Sequence, residues 1–284
     1  MSDIDFGVQI EPQFGFTYEE IRGIAEEAES TGFESLWLSD HFFLRDDSVG
    51  TACLECWTAL TALARDTKTL RLGPMVASQS YRNPAILANI AASLDHISDG
   101  RLSFGIGAGW KEVEYRAYGY GFPKPVVRIR QRDETIEIAK RMWTQEKATF
   151  KGRYHSVKDA LCYPHPVQKP HIPIWVGGTG DLLLKVSAKH ADAVNIAWSQ
   201  SPEFFKERLQ VLKKHCTKIC RDFDEIKKSA GLRIRFTDDE SPEALAERMG
   251  EYASLGIDHF ILLFSYGEEI EKMRFFIEEV KHKI

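Results

Sequence analysis

Two hydrophobic patterns alternate along the chain. Short apolar runs are typical of buried strands, and longer stretches with apolar residues three or four positions apart are typical of helices that bury one face. The short runs predict strands at residues 6–10, 33–38, 70–77, 102–106, 174–176, 193–197, 232–236 and 260–264. The longer stretches predict a helix after each strand: residues 17–30, 57–64, 83–97, 130–143, a helix ending at 190, helices beginning at 201 and 241, and 268–280.

Capping residues mark where several of these helices begin. Thr17 and Glu20 have the spacing of a capping box, in which the hydroxyl accepts from a free backbone N–H and the carboxylate reaches back. Asn83, Ser201 and Ser241 each precede a proline, the residue favoured at the first helical position. These signals support a regular alternation of strand and helix.

Eight strands that alternate with eight helices, about 35 residues apart in a chain of 284, predict a parallel sheet closed into a (β/α)₈ TIM barrel. The rhythm breaks once, at about residues 147–172, where a hairpin at 149–155 is followed by a proline-rich crossing. We interpret this segment as an insertion between strands four and five of a single domain, residues 1–284. A doubly wound open sheet is the alternative, but residues 11–15 lack the glycine pattern that binds a dinucleotide after the first strand.

Composition and charge narrow the classes of function. The chain is 43% hydrophobic and 28% charged, with a formal net charge of −5 and no basic run, which argues against a nucleic-acid partner. No apolar stretch reaches the roughly 18 residues of a membrane span, so we expect no membrane association. The acidic N-terminus leads directly into a strand, which predicts no signal peptide and a cytoplasmic protein.

The five cysteines are expected to be reduced structural thiols. Cys53 and Cys56 have the spacing of a redox pair or of half a metal site, but no second pair matches it. Neither a G-x-S-x-G nucleophile elbow nor an H-E-x-x-H motif is present, and we expect no metal.

Two titratable residues, Asp40 and His41, follow the strand at 33–38. In parallel α/β proteins, side chains at the carboxyl ends of strands face the ligand. Neighbouring side chains on a strand point to opposite faces, so both residues reach that side only if the strand has already ended. The pair could act as an acid and a base or as hydrogen-bonding groups, and a structural histidine is the alternative.

Gly177, Gly178 and Thr179 join the fifth strand to a helix. Backbone N–H groups and the dipole at the start of a helix favour a phosphate, so we predict a phosphate-binding loop, with a merely tight turn as the alternative. Gly107 and Gly109, with Ala108 between them, end the fourth strand and could let a planar ligand lie against bare backbone.

Trp110 follows these glycines and could either stack on a ligand ring or roof the barrel. Glu112 and Glu114 come next, and we interpret them as residues of a solvated loop. The residues by themselves therefore predict a barrel that binds a phosphorylated, planar, redox cofactor, and they do not name the reaction.

Three segments taken in order resemble the luciferase-like monooxygenase superfamily: SDHF at 39–42, GIGAGWKEVEY at 105–115 and PIWVGG at 173–178. The set is most similar to the coenzyme F420-dependent (deazaflavin) oxidoreductases, over nearly the whole chain. The resemblance implies hydride transfer between the deazaflavin C5 and a small organic substrate. The alternatives are an FMN-dependent monooxygenase that uses reduced flavin and O₂, and a non-catalytic member that only binds cofactor.

The resemblance also implies roles for individual residues. Asp40 would contact the deazaflavin ring, and His41 would lie on the substrate side, where it polarises or protonates the reacting group. A non-proline cis peptide bond between Met75 and Val76 would lie behind the ring, with Ser78 near it. The glycine loop after the fifth strand would bind the cofactor phosphate.

Trp110 departs from the glucose-6-phosphate dehydrogenases of this family, which carry a catalytic glutamate at that position. We therefore do not expect a sugar-phosphate dehydrogenase, and we expect Trp110 to form an apolar or aromatic wall of the substrate pocket. Methylenetetrahydromethanopterin reductase is a possible relative in activity. The resemblance further implies a homodimer, for which the helices at 57–64 and 86–97 are the candidate contacts.

Overall fold

The computed structural model describes residues 4–196, 198, 201–236 and 241–284. Its strands are β1 (Asp5–Ile10), β2 (Ser35–Leu38), β3 (Arg71–Pro74), β4 (Ala77–Ser78), β5 (Phe104–Gly107), β6 (Ala148–Lys151), β7 (Ser156–Ala160), β8 (Ile174–Gly177), β9 (Ala193–Ile196), β10 (Lys227–Arg233) and β11 (His259–Leu263). Its α-helices are α1 (Tyr18–Ser30), α2 (Cys56–Asp66), α3 (Pro84–Ile97), α4 (Glu112–Ala117), α5 (Pro125–Thr144), α6 (Asp181–His190), α7 (Pro202–Lys218), α8 (Pro242–Ser254) and α9 (Glu269–Glu279).

Nine of the described strands form one parallel sheet, in the order β3-β2-β1-β11-β10-β9-β8-β5-β4. β3 and β4 are two halves of one barrel strand, separated at the cis peptide bond between Met75 and Val76. The two ends of the sheet therefore belong to the same strand, and a parallel bridge from Leu72 to Leu102 draws them together. The predicted (β/α)₈ barrel is confirmed.

Side chains of the described strands pack together inside the barrel. Trp37 and Trp175 lie with ring centroids 4.6 Å apart, and Met75, Ala193 and Ile261 complete this apolar cluster. A larger hydrophobic core lies between the sheet and the surrounding helices. The tryptophan layer closes the barrel beneath the carboxyl ends of its strands.

The predicted insertion between the fourth and fifth barrel strands is confirmed as the antiparallel pair β6 and β7. Glu134 on α5 fixes its turn, because its carboxylate accepts from the backbone N–H groups of Arg153, Tyr154 and His155 at 2.8–2.9 Å. The predicted capping box is also present: Glu20 N–H donates to Thr17 Oγ1 at 3.3 Å, and Thr17 N–H donates to Glu20 Oε2 at 2.7 Å.

Two predictions about elements were wrong. The hydrophobic pattern predicts the seventh barrel strand at 232–236, but β10 covers Lys227–Arg233. Its first half is buried although polar, since the Lys228 amine lies over the Phe223 ring and Ser229 hydrogen-bonds to His259. A hydrophobic pattern does not reveal such a strand.

The number of helices was also underestimated, because the described part of the chain contains α4 in addition to the eight predicted helices. This short helix lies between Trp110 and α5, and α5 itself begins at Pro125 and not near residue 130. Within the described ranges, no helix is long and apolar enough to cross a membrane.

Candidate active site

A cavity of about 830 Å³ opens at the carboxyl ends of the barrel strands. The residues proposed from the sequence come from four different βα units, and the structure brings all of them to the lining of this cavity. They are Asp40, His41, Met75, Val76, Ser78, Gly107, Ala108, Gly109, Trp110, Gly177, Gly178 and Thr179. This is the face of a barrel on which ligands bind.

In the cavity, glycine residues of the neighbouring strands lie against the side chain of Val76. The Met75-Val76 peptide bond is cis, as the resemblance implied. A Cβ atom added to Gly107 would come within 2.5 Å of Val76 Cγ2, and one added to Gly177 within 3.0 Å of Val76 Cγ1. Glycine is therefore required at these strand ends so that β5 and β8 can close around Val76, and the result is a surface with few side chains on which a flat ligand fits.

Asp40 and His41 follow the end of β2 at Leu38. Because the strand has ended, the alternation of side chains no longer applies, and both residues line the same cavity. The carboxylate of Asp40 accepts two hydrogen bonds from Arg82, at 2.7 and 2.9 Å, and one from the backbone N–H of Ser78 at 3.0 Å. Asp40 is thus anchored in a buried bidentate ion pair that also holds the β4 end in place.

His41 is held differently, through one ring nitrogen. Its Nδ1 lies 2.8 Å from Glu114 Oε2. The Glu114 side chain is 0% exposed, whereas the imidazole is 19% exposed. An ionised carboxylate only accepts hydrogen bonds, so Nδ1 carries the hydrogen and Nε2 is the other, unprotonated nitrogen in the neutral ring. Among the described residues, Nε2 has no hydrogen-bond partner.

Glu114 collects donors from several elements. Tyr81 Oη donates to Oε2 at 2.8 Å, the backbone N–H of Phe42 donates to Oε1 at 2.9 Å, and Lys111 Nζ lies 3.1 Å from Oε1. Burial would raise the pKa of Glu114, but the hydrogen bonds from His41, Phe42 and Tyr81 outweigh it and hold the pKa at about 2. Glu114 is therefore an anion near neutral pH.

The prediction that Glu114 belongs to a solvated loop was wrong. It lies on α4, and the carboxylate is buried because the segment after β2 folds over it. Its partner His41 is 73 positions away in the chain, so no local pattern links the two. The one available signal was its position, four residues after Trp110 beside the mouth of the barrel.

Trp110 neither roofs the barrel nor is buried in it. Its side chain is 71% exposed and meets the His41 ring edge-on, with centroids 5.4 Å apart and planes at 80°. The indole therefore covers one flank of the imidazole and leaves most of its surface free at the cavity mouth.

The glycine loop after β8 leads into α6. Gly178 has φ +127°, a conformation that favours glycine, and Gly180 caps α6 without a side-chain hydrogen bond. The backbone N–H groups of the first turn are thus not capped by a side chain, and Gly177, Gly178 and Thr179 face the cavity. This arrangement suits an anionic group such as a phosphate.

Sequence reasoning missed the cations of the cavity, Lys111, Arg233 and Arg235. The two arginines lie at and beyond the end of β10, and the wrong placement of that strand hid them.

Cys53 and Cys56 are free thiols that donate to the backbone oxygens of His41 and Leu38. Burial raises the pKa of Cys53 to about 11, which makes it a poor nucleophile.

Within the residues that the structure describes, no group of three or more His, Cys, Asp or Glu side chains is arranged to hold a metal ion.

The family model for luciferase-like monooxygenases matches residues 4–279 of the chain. The chain belongs to the luciferase-like monooxygenase family. The resemblance found in the sequence is therefore confirmed.

Two curated relatives are similar to this family member over most of their length. An F420-dependent glucose-6-phosphate dehydrogenase from Amycolatopsis mediterranei (strain U-32) is 26% identical over 259 residues, covering 88% of this chain and 74% of the relative. A 5,10-methylenetetrahydromethanopterin reductase from Archaeoglobus fulgidus is 26% identical over 261 residues, covering 86% and 73%.

A solved structure has the same fold. It is an F420-dependent secondary alcohol dehydrogenase in complex with an F420-acetone adduct, with a TM-score of 0.84 and 19% sequence identity. The superposition covers 99% of each chain. At this identity the likeness establishes the shared barrel.

Proposed function

We propose that this family member is a coenzyme F420-dependent oxidoreductase that transfers a hydride between C5 of the deazaflavin and an organic substrate. The observation that carries the proposal is the His41 imidazole, which lines the cavity with Nδ1 held by a buried carboxylate. It stands beside a glycine-lined surface suited to a flat ring system. The F420-dependent glucose-6-phosphate dehydrogenase at 26% identity supports the same cofactor.

The residues of the cavity fit this cofactor. Gly177, Gly178 and Thr179 would hold its phosphate at the start of α6, and Val76 with the backbone of 107–109 would support the ring. Ser78, fixed by its N–H to Asp40 and by its hydroxyl to Tyr115, would lie at the ring edge. The bound deazaflavin supplies hydride donation or acceptance at C5.

The protein's own part is to hold and move a proton. Glu114 keeps the Nδ1–H of His41, which leaves Nε2 to accept a proton from the substrate in one direction or to return it in the other. Asp40 contributes by position, because its pairing with Arg82 and Ser78 fixes the wall of the cavity where the ring would lie. We therefore assign proton transfer to His41 and cofactor contact to Asp40.

Trp110 supports an apolar or aromatic flank of the substrate pocket. A sugar phosphate is disfavoured as the substrate, because the resemblance implies that sugar-phosphate dehydrogenases of this family carry a catalytic glutamate at this position. We propose a small organic substrate whose carbonyl or hydroxyl faces His41 and whose apolar part faces Trp110.

An FMN-dependent monooxygenase is the second candidate, because the family itself is described by monooxygenase activity and the glycine loop would accept the phosphate of FMN equally well.

Fluorescence titration with F420 and with FMN decides between the two cofactors. We expect tight binding of F420 and its reduction or oxidation without O₂ consumption. Binding of FMN alone, with O₂ uptake on adding reduced flavin, would overturn the proposal, and F420 binding without turnover of a broad panel of alcohols and carbonyl compounds would indicate the non-catalytic alternative.

We also propose a homodimer and a cytoplasmic location. On α3, Ile86 is 57% exposed and Ile97 is 36% exposed, which supports contact through α2 and α3. The free thiols suit a reducing compartment. Light scattering of the wild type and of Ile86→Asp tests the first proposal, and subcellular fractionation tests the second.

A further inference from the structure

Two buried arginines lie one turn apart on α5. Arg128 is 6% exposed and Arg132 is 0% exposed. No described carboxylate forms an ion pair with either of them, although a fully buried guanidinium is normally paired. Each instead reaches the carbonyl of a glycine at the cavity: Arg128 Nε donates to Gly109 O at 3.2 Å, and Arg132 Nη1 donates to Gly177 O at 3.4 Å.

The hydrogen bonds of Arg132 do not satisfy it. Both of its contacts, to Gly177 O and to Leu183 O, are 3.4 Å long, and its buried Nε has no partner. Burial lowers the pKa of Arg132 to about 10, which still leaves it cationic near neutral pH. The Asp133 carboxylate offsets only part of the effect of burial on the pKa of Arg132, and no described carboxylate is in ion-pair contact with the guanidinium.

The location of this charge matters. Gly177 ends β8 and Leu183 lies in the first turn of α6, so Arg132 contacts both sides of the glycine loop. Gly177, Gly178, Thr179 and Leu183 line the cavity, whereas Arg132 does not. The loop is thus a single layer of chain between the cavity and the guanidinium, and an anion bound to the loop would supply the missing counter-charge.

We propose that Arg132 is the positioning residue that gives this loop its preference for a phosphate over a neutral group. It acts through the loop, by adding a full positive charge to the N–H groups and dipole of α6 and by holding the Gly177 carbonyl away from the anion. This inference rests on the proposed function for the identity of the cofactor, and it concerns only the phosphate subsite.

The test compares two ligands that differ in one phosphate: the deazaflavin nucleoside and its 5′-phosphate. We expect the wild type to bind the phosphorylated ligand at least about 100-fold more tightly. Arg132→Gln should lose about 10- to 100-fold in affinity for the phosphorylated ligand and less than about threefold for the nucleoside. Arg132→Lys, which keeps a positive charge, should recover part of the loss. Equal losses for both ligands in Arg132→Gln, or no phosphate preference in the wild type, would overturn the proposal.

Arg128→Gln is the matched control, because it removes a buried guanidinium of the same helix that contacts the other glycine loop. It should leave the affinity ratio of the two ligands within about threefold of the wild-type ratio, and a change as large as that of Arg132→Gln would contradict a loop-specific role. Circular dichroism and thermal unfolding establish that each variant is folded. Should Arg132→Gln not fold, Arg132→Lys keeps the proposal falsifiable: it retains the positive charge and should retain a phosphate preference, and complete loss of that preference in folded Arg132→Lys would overturn the proposal.

The same measurements with FMN and riboflavin separate this inference from the proposed function. Loss of FMN affinity but not riboflavin affinity in Arg132→Gln, in a protein that binds no deazaflavin, would support Arg132 and overturn the F420 assignment. Deazaflavin turnover with a ligand ratio indifferent to Arg132 would overturn only the role of Arg132.

Discussion

Two histidines, one at each end of the barrel, each lie beside a glutamate but differ in burial and in hydrogen bonding. His41 lies beside Glu114, and His259 lies beside Glu34, with Nε2 3.5 Å from Oε2. At the cavity, His41 is bonded through Nδ1 to Glu114, and its ring is 19% exposed. At the other end, His259 is 0% exposed and bonded through both nitrogens, to Ser35 Oγ at 3.1 Å and to Ser229 Oγ at 3.0 Å.

The difference lies in how many ring nitrogens the protein satisfies. His259 opens β11, lies against Trp175 with ring centroids 4.9 Å apart, and does not line the cavity. Both of its nitrogens are used to join β2 and β10 across the barrel floor. For His41, only Nδ1 has a hydrogen-bond partner among the described residues. A histidine beside a carboxylate is thus a candidate for catalysis when one nitrogen remains unsatisfied at a cavity, and a structural residue when neither does.

Replacing His41 by alanine should have the largest effect. We expect kcat to fall by about 10²- to 10⁴-fold, because the proton carrier is lost. The Kd for F420 should change by less than about threefold, since the phosphate loop is untouched. Steady-state turnover and fluorescence titration measure the two quantities, and an unchanged kcat would show that His41 carries no proton.

His259→Leu tests the other half of the comparison. The variant leaves two buried hydroxyls without their imidazole partner, so the free energy of unfolding should fall by about 2–4 kcal/mol. Urea denaturation measures this loss. The kcat of the folded fraction should stay within about twofold of the wild type, and a specific loss of kcat at full stability would reverse the assignment of the two histidines.

Glu114→Gln should lower kcat about tenfold, because an amide no longer fixes the hydrogen on Nδ1 of His41. It should also change the response to acid. The folded-state pKa of Glu114, about 2, lies below the ordinary 4.5, so its carboxylate stabilises the fold above about pH 4.5 and this contribution is lost as the pH falls towards 2.

Urea unfolding at several pH values between 6 and 3 measures this contribution. The wild type should lose stability in this interval more steeply than Glu114→Gln. Parallel curves for the two proteins would mean that Glu114 is not held as a buried anion.

Trp110→Ala should have the smallest effect of the four. The indole contributes one edge-on contact to His41 and is mostly exposed, so its loss should cost about 1 kcal/mol, equivalent to a rise in KM of about fivefold. The kcat and the Kd for the cofactor should change little. A fall in kcat comparable to that of His41→Ala would show that Trp110 orients the imidazole.

Local patterns in the sequence were sufficient for most of the barrel. β2 and the glycines of the fourth and fifth barrel strands are recognisable because burial, strand length and bare backbone all act within a few residues. The cis peptide bond between Met75 and Val76 was predicted only from the resemblance to the family, since neither residue type indicates it.

The groups that the sequence did not reveal depend on distant contacts. Glu114 is buried by residues more than 30 positions away, among them Tyr81 and His41. Arg132 looks like one more charged residue of an amphipathic helix, and only the packing of α5 against the loop after β8 shows that it is buried. Polar side chains that are buried inside a protein carry no hydrophobic signature, which is why most of β10 was also missed.

The helix α5 has a consequence for protein engineering. Two positions after Arg132, Glu134 binds three backbone N–H groups in the turn of the β6–β7 hairpin. A chimera that exchanges this hairpin for a longer or shorter one should therefore cross over after α5, at residues 145–147, and keep Glu134 paired with a turn of the same shape. Grafts that respect this junction should leave the glycine loop at 177–179 undisturbed. Grafts that leave the Glu134 carboxylate without its backbone N–H partners would shift the helix that carries Arg132.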